Sequence, residues 1–249
     1  MVDMYRGPEA ARQPPAYHVR AVTVAPHELL ALDGWDEAMA VSWGPPGLTT
    51  TFRAVWTPMG LGVRWDVQDQ SPWATRTQRD DCLWETEVVE VFIDPTRTGE
   101  DYAELEITPA NVVCDLRIER LTPERVVHLE WDFPGLDTVV RRADDGDDWS
   151  AIAWMPFAGF AALSPRVAAC LPVGGGDVWH FNVFRIKRPG GPGHPEKGAI
   201  YAAWSVPEGP TFHEPQAFRP MVFDAAGTKA SAGTSNRMSW ERHILSSPS

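Results

Sequence analysis

Short runs that alternate with a period of two recur along the whole chain, and little of helical period competes with them. They are HVRAVTV from His18, TTFRAVW from Thr50, LGVRWDV from Leu61, EVVEVFI from Glu87, YAELEI from Tyr102, VVCDLRI from Val112, DTVVRR from Asp137, WSAIAWM from Trp149, VWHFNVFRI from Val178, IYAAWS from Ile200 and RPMVFD from Arg219. Turn chemistry separates many of them, with PPG at Pro45, PTRTGED at Pro95, TPAN at Thr108, ADDGDD at Ala143 and RPGGPGHPEKG at Arg188. Many short strands joined by turns bury their apolar faces by packing sheet on sheet. The expected fold is all-β, an antiparallel two-sheet β-sandwich of jelly-roll or immunoglobulin-like type. One or two short helices are expected, over residues 34–41 and over FAGFAAL from Phe157. Neither a fixed-period repeat nor a linker divides the core. Residues 16–224 are therefore expected to form one domain between mobile tails at 1–15 and 225–249, where small and polar residues dominate.

Alternation also assigns faces, because successive side chains of a strand point to opposite sides. In YAELEI, Tyr102, Glu104 and Glu106 share one side and Ala103, Leu105 and Ile107 the other. In LGVRWDVQD, Leu61, Val63, Trp65 and Val67 are expected inward, with Arg64, Asp66 and Gln68 outward. VWHFNVFRI is apolar on both sides, which suits a strand covered on both, with Arg185 on the side of Trp179, Phe181 and Val183. In RDDCLWETEVVEVFIDP from Arg79, Val88, Glu90, Phe92 and Asp94 share a side, and Trp84 lies in the turn before it. This acidic side, rimmed by aromatics, is expected to face solvent. One reading makes Trp84 a cover for the core edge, with the acids paired to arginines such as Arg64 and Arg79.

Composition excludes some functions. The net charge of −12 and a pI near 5.0 repel phosphate backbones, and no Lys/Arg cluster offsets this, so nucleic acid is not an expected partner. No run approaches the roughly 20 apolar residues of a membrane span, and Met1 to Pro15 lacks the apolar segment of a secretory leader; no membrane partner and a cytoplasmic location are expected. Cys82, Cys114 and Cys170 lack the spacing of a zinc or redox motif and read as buried free thiols. Twelve tryptophans against four tyrosines suit either core filling or stacking on a ligand ring.

The pattern DxxWExxxVEVFIDP, followed in order by DYxExEIxPxN, GDVWxFNxxRI, YxxWS and FHEPQAF, resembles the family 9 carbohydrate-binding modules, whose relatives include DOMON-type domains. The resemblance runs from about Ala31 to Asp224 and takes in LDGWDEA at Leu32 and WDVQD at Trp65. It implies a β-sandwich that clamps a sugar ring between aromatic side chains while carboxylates and amides hold its hydroxyls. Trp84 falls at the first clamp position, Phe212 replaces the second clamp tryptophan, and Glu90 falls at a hydroxyl-binding carboxylate. Glu106 stands where a sugar-binding member uses arginine, and Arg219 replaces a glycine of the pattern. Together with Tyr102, Glu104, Asn182 and His213, these residues make the expected ligand site for a mono- or oligosaccharide or a similar small polar ligand. Aromatic faces stack on sugar C–H faces, and carboxylates orient hydroxyls by charge-assisted hydrogen bonds.

The same resemblance suggests structural calcium, and Asp144, Asp145, Asp147 and Asp148 around Gly146 offer oxygen ligands for it, although a solvated acidic turn has the same composition. Two further functions share the fold. A free-standing enzyme would use Glu90, Glu104 and His213 as acid/base groups on a sugar-like substrate, with no GxSxG or P-loop present. A haem-binding electron-transfer domain of DOMON type would need a histidine with Met59, Met155 or Met221 as axial ligands.

Overall fold

The computed structural model describes residues 4–7, 14–31, 34–121, 124–144 and 146–225; of the tail expected over 225–249, residues 226–249 lie outside the described residues. Two sheets make the sandwich. The first runs β10 (Asp137–Arg142), β11 (Trp149–Pro156), β5 (Gly60–Val67), β4 (Thr50–Thr57), with β3 (Ala40–Trp43) also on β4. The second runs β14 (Arg219–Phe223), β12 (Val178–Lys187), β6 (Val88–Asp94), β7 (Asp101–Ile107), β8 (Val113–Leu121), β9 (Glu124–His128), with β13 (Ile200–Ala203) on β12.

The pairing is antiparallel except at two places, which corrects the uniform expectation. Strand β2 (Tyr17–Ala21) pairs parallel to both β14 and β4 and so joins the two sheets along one edge. Strand β1 (Met4–Tyr5), inside the stretch expected to be a tail, pairs parallel to β13. Both cover backbone that an open sheet edge would leave unpaired. Among the described residues there are three short α-helices, α1 (Pro26–Leu30), α2 (Phe157–Ala161) and α3 (Pro165–Ala168). The helix expected over 34–41 is instead a series of turns leading into β3; Gly34 starts it at φ +84°, outside the helical region.

Alternate residues fill the space between the sheets. Phe52, Leu61, Val63, Trp65, Val89, Val91, Ile93, Phe181 and Val183 belong to this core and are all buried. As the alternation predicts, Leu61, Val63, Trp65 and Val67 point in and Arg64 and Asp66 lie near the surface. A second core covers the other face of β6, β7, β8 and β12: Val88, Phe92, Tyr102, Leu116, Ile118, Phe184 and Ile186 pack under Leu83, Phe212 and Phe218. A third, smaller core places Leu29 of α1 and Trp35 over Val55, Ile152 and Trp154.

Charged groups are also buried at the end of β12. Lys187 Nζ lies 2.6 Å from Asp69 Oδ1 and 2.7 Å from Glu87 Oε1, and Arg185 Nη2 lies 3.0 Å from Asp69 Oδ2. Trp149 Nε1 donates to the same Asp69 carboxylate at 2.8 Å. Among the cysteines, Cys114 is buried as expected, whereas Cys82 and Cys170 are partly exposed.

Close packing makes one glycine in α2 sensitive. A Cβ at Gly159 would lie 2.1 Å from Phe133 Cε1 and 2.7 Å from the Pro134 carbonyl oxygen. Gly159→Ala is expected to cost about 1–3 kcal/mol, the usual range for overpacking. Urea unfolding reads this directly; an unchanged midpoint would mean that the 133–134 segment yields freely.

Candidate functional site

The register of β6 against β7 sets Glu90 opposite Glu106 and Phe92 opposite Glu104. All four side chains and Tyr102 occupy the sheet face that carries the second core. This face was expected to be open to water; in the structure Glu90, Glu104, Glu106 and Tyr102 are all buried. Period-two alternation reports which residues share a side, and what covers that side comes from segments outside the strands. Here the cover is a 3₁₀ turn at Leu83–Glu85 and the stretch from Phe212 to Phe218, which holds a second 3₁₀ turn at Pro215–Ala217.

One carboxylate oxygen from each of Glu90, Glu104 and Glu106 lies within 4.8 Å of the others. Glu90 Oε1, Glu104 Oε2 and Glu106 Oε2 are buried without a hydrogen-bond partner. Burial drives all three carboxyls toward the protonated form, and their proximity adds to it. Glu104 is raised from 4.5 to about 7 by desolvation, against the opposing pull of a hydrogen bond with Glu106 and the charge of Arg125. Glu90 is raised well above its ordinary value by desolvation and then by Glu104, and Glu106 by desolvation and then by Glu90 and Glu104. The group can therefore hold protons at neutral pH, donate as well as accept hydrogen bonds, or take up a cation.

Aromatic rings wall the carboxylates. His213 packs over Phe92 with ring centroids 4.9 Å apart, and its Nδ1 is 3.0 Å from Tyr102 Oη. Its Nε2 lies 3.8 Å from Glu104 Oε2, too far for a hydrogen bond. Burial, followed by the charges of Arg125 and Arg120, lowers the imidazole to about 3 and keeps it neutral. Phe212 lies almost flat on Phe184, at 4.3 Å and 20°, and is only 9% exposed, so one of its faces is already covered. Trp84 is different: its indole is 37% exposed at the 3₁₀ turn, while its carbonyl accepts a hydrogen bond from Arg188 Nη2 at 2.6 Å. Beside that turn opens a cleft of about 490 Å³ lined by Trp73, Arg76, Glu85, Thr86 and Glu196, among others.

The remaining expected site residues fall elsewhere or have other partners. Asn182 shares the face and sits opposite Phe92, but its Nδ2 donates to Ser205 O at 2.7 Å and its Oδ1 accepts from Ser205 N and Val183 N. It braces the end of β13. In the acidic turn Asp144 is exposed, Asp145 lies outside the described residues, Asp147 accepts from Ser71 N at 2.6 Å and Asp148 from Asp69 N at 2.9 Å. Arg79 pairs with Asp115 and Asp132, and Arg64 with Asp66, so the carboxylates of β6 and β7 are not the ones these arginines meet. Met155 and Met221 are buried in the core between the sheets, and Met59 is exposed, so the three methionines occupy separate environments. Arg120 and Arg125, whose charges act on His213 and of which Arg125 also acts on Glu104, belong to no sequence motif; only the pairing of β8 with β9 brings them together.

Comparison with known proteins agrees with the motifs. Residues 34–112 match the family described as "Carbohydrate family 9 binding domain-like". An "Extracellular protein" of Arthroderma benhamiae is 23% identical over 185 residues, which span 70% of this chain and 78% of that one. Among solved structures, a candidate carbohydrate-binding protein of Bacteroides uniformis superposes with a TM-score of 0.62 at 17% identity, over 84% of this chain and 99% of that one. A family 9 carbohydrate-binding module from Caldicellulosiruptor kristjanssonii superposes in its glucose complex with a TM-score of 0.54 at 11% identity, over 87% of this chain and 100% of that one. Its cellotriose complex gives 0.55 at 12% identity, over 89% and 100%. The chain has the β-sandwich fold of these modules, and the resemblance read from its motifs holds.

Proposed function

We propose that this chain is a carbohydrate-binding domain whose site is built from Trp84 and the carboxyl groups of Glu90, Glu104 and Glu106. The observation that carries the reading is that Glu90, Glu104 and Glu106, clustered on one sheet face under an aromatic cover, each keep a buried carboxylate oxygen without a hydrogen-bond partner, while Trp84 in the turn before β6 is exposed. Sugar hydroxyls are donors and acceptors at once, so they suit carboxyl groups that are partly protonated. The apolar face of a pyranose suits an exposed indole. The family 9 match and the structural neighbours solved with glucose and cellotriose support the same ligand class.

In this reading the sugar lies against Trp84, and one hydroxyl edge reaches Glu90 as the Phe212–His213 cover moves outward. Phe212 then provides the second aromatic wall with the face that Phe184 leaves uncovered. Tyr102 and His213 line the same cavity and orient polar atoms toward Glu104.

A catalytic reading draws on Glu104, whose carboxyl near 7 suits a general acid. The carboxylate oxygens lie within 4.8 Å, closer than the roughly 5–5.5 Å of a retaining glycosidase pair or the wider gap of an inverting one. Binding without turnover fits this spacing better.

Isothermal titration with glucose, xylose and cellotriose tests the proposal. Wild-type protein should bind at least one of them, and Trp84→Ala should weaken that binding by about tenfold or more, since lost stacking and apolar burial amount to at least ~1.4 kcal/mol. Its thermal unfolding should change little, because the indole is partly exposed. No heat with any saccharide, or equal affinity in Trp84→Ala, overturns the reading.

A further inference from the structure

The described buried carboxylates of this chain follow a rule with one exception. Asp69 and Glu87 meet Lys187, and Asp101 meets Arg117. Asp115 meets Arg79 and the Phe133 N–H. Asp94 accepts N–H groups of Thr96, Arg97 and Gly99. Glu90, Glu104 and Glu106 alone each keep a buried oxygen without a hydrogen-bond partner, and one carboxylate oxygen from each lies within 4.8 Å of the others. Leaving one buried charge without a partner is costly, and gathering three multiplies that cost.

We propose that Glu90, Glu104 and Glu106 are the ligand set of a divalent metal ion held between β6 and β7 beneath the Phe212–His213 cover. An ion at the centre of three oxygens as far as 4.8 Å apart lies about 2.8 Å from each, so side-chain shifts of a few tenths of an ångström bring all three to the 2.0–2.6 Å typical of carboxylate ligation. The ion supplies the positive charge that each of the chain's other buried acids obtains from a neighbouring cation or N–H group. His213 is placed as the next donor, since its Nε2 is 3.8 Å from Glu104 Oε2 while Nδ1 is fixed by Tyr102 Oη. Orientation of a ligating imidazole through its other nitrogen is the usual arrangement around metal-bound histidines.

The donor chemistry selects the ion. Carboxylate oxygens with an imidazole nitrogen suit Zn²⁺ or Mn²⁺. Ca²⁺ favours six to eight oxygens and Mg²⁺ keeps several waters, whereas these carboxylates are buried under an aromatic cover. The site is distinct from the acidic turn at 144–148, whose Asp147 and Asp148 carboxylates accept backbone N–H groups. The ion would use the carboxyls proposed above to meet sugar hydroxyls, so its test is made on the saccharide-free chain, where its failure leaves the saccharide test standing.

The full chain, stripped with EDTA and dialysed, should regain one Zn²⁺ or Mn²⁺ per molecule by elemental analysis. Saturation at about a hundred times the dissociation constant should raise its melting temperature by roughly 5–10 °C. Glu106→Gln and Glu90→Gln should lose both the ion and the shift, whereas Asp132→Asn, in the separate cluster of Asp80, Asp115 and Asp132, should keep them. Crystals of the wild-type chain soaked in Mn²⁺ give a readout that does not depend on how the glutamine variants fold. An anomalous peak between Glu90 and Glu106 is the expected result. No peak there, or a stoichiometry unchanged in both glutamine variants, overturns the site.

Discussion

Lys187→Met is expected to lower the unfolding free energy by about 3–5 kcal/mol, the range for removing one partner from a buried ion pair. Lys187 is itself buried and reaches two carboxylates, Asp69 and Glu87, and also donates to the Gln70 carbonyl at 2.7 Å. Arg185 remains beside Asp69, so that carboxylate keeps one cation; Glu87 keeps only the backbone donors of Arg188 and Trp73. The loss should therefore come chiefly from Glu87, and Glu87→Gln in the Lys187→Met background should restore part of it. Arg166→Ala, which breaks the exposed pair with Glu100, is the contrast and should change stability by less than about 1 kcal/mol. Urea denaturation of the three variants checks the pattern. Equal effects for Lys187→Met and Arg166→Ala would contradict it.

The second large effect has the opposite sign. In protein freed of metal by EDTA, Glu106→Gln is expected to raise stability at pH 8 by about 1–3 kcal/mol, because it removes one of three crowded buried acids and adds an amide donor. The pH dependence follows from the direction of the shifts. The folded-state value of Glu104 is about 7, above the 4.5 of an ordinary glutamate, so its proton is held more tightly in the folded chain. Its contribution is fully present below about pH 4.5 and is lost as pH rises through 7, on the order of 3 kcal/mol. Glu90 and Glu106 are raised in the same direction, by burial first and by each other's neighbours next. Asp115, raised to about 6 by burial, adds to the fall. Tyr102, Cys114 and Cys82 lie close to these acids without relieving them, and Arg125 opposes the Glu104 shift from the β8–β9 side. Metal-free wild type should thus unfold more easily at pH 8 than at pH 5.5, and Glu106→Gln should flatten that slope. A wild type whose stability rises from pH 5.5 to 8 would show that the carboxylates are not crowded.

These two groups of buried charge show where reading the sequence succeeds and where it stops. Alternation placed Tyr102, Glu104 and Glu106 on one side of β7 and Glu90 with Phe92 on one side of β6, and the register bears this out. It could not reveal that this side is covered, because Phe212 and Phe218 come from a turn far away in the chain and Leu83 from a non-alternating turn just before β6. For the Lys187 cluster a signal was present: Arg185 shares a side of β12 with Trp179, Phe181 and Val183, and a cation on a core-facing side calls for a buried acid. Its partner Asp69 follows the alternating run of β5, where nothing local marks it out. The parallel contacts of β2 were likewise illegible, since pairing direction at a sheet edge depends on where the chain enters the sandwich. Helix α1 is a single turn starting at Pro26, too short for a helical period to show.

The aromatic positions divide in the same way. Motif order singled out Trp84 and Phe212 among twelve tryptophans and ten phenylalanines, yet only Trp84 keeps an open face. Trp65 and Trp179 are fully enclosed in the core between the sheets. Exposure, rather than composition, separates the tryptophan that could meet a ligand from those that fill the interior.

That difference permits a direct test of the proposed saccharide site. The indole N–H signals of the tryptophans can be followed by NMR during titration with cellotriose, with the Trp84 signal identified by its loss in Trp84→Ala. The account predicts that Trp84 moves most and in a saturable manner, while the enclosed Trp65 and Trp179 stay in place. Saturable movement of other indoles with Trp84 unmoved, or no movement of any, would contradict it.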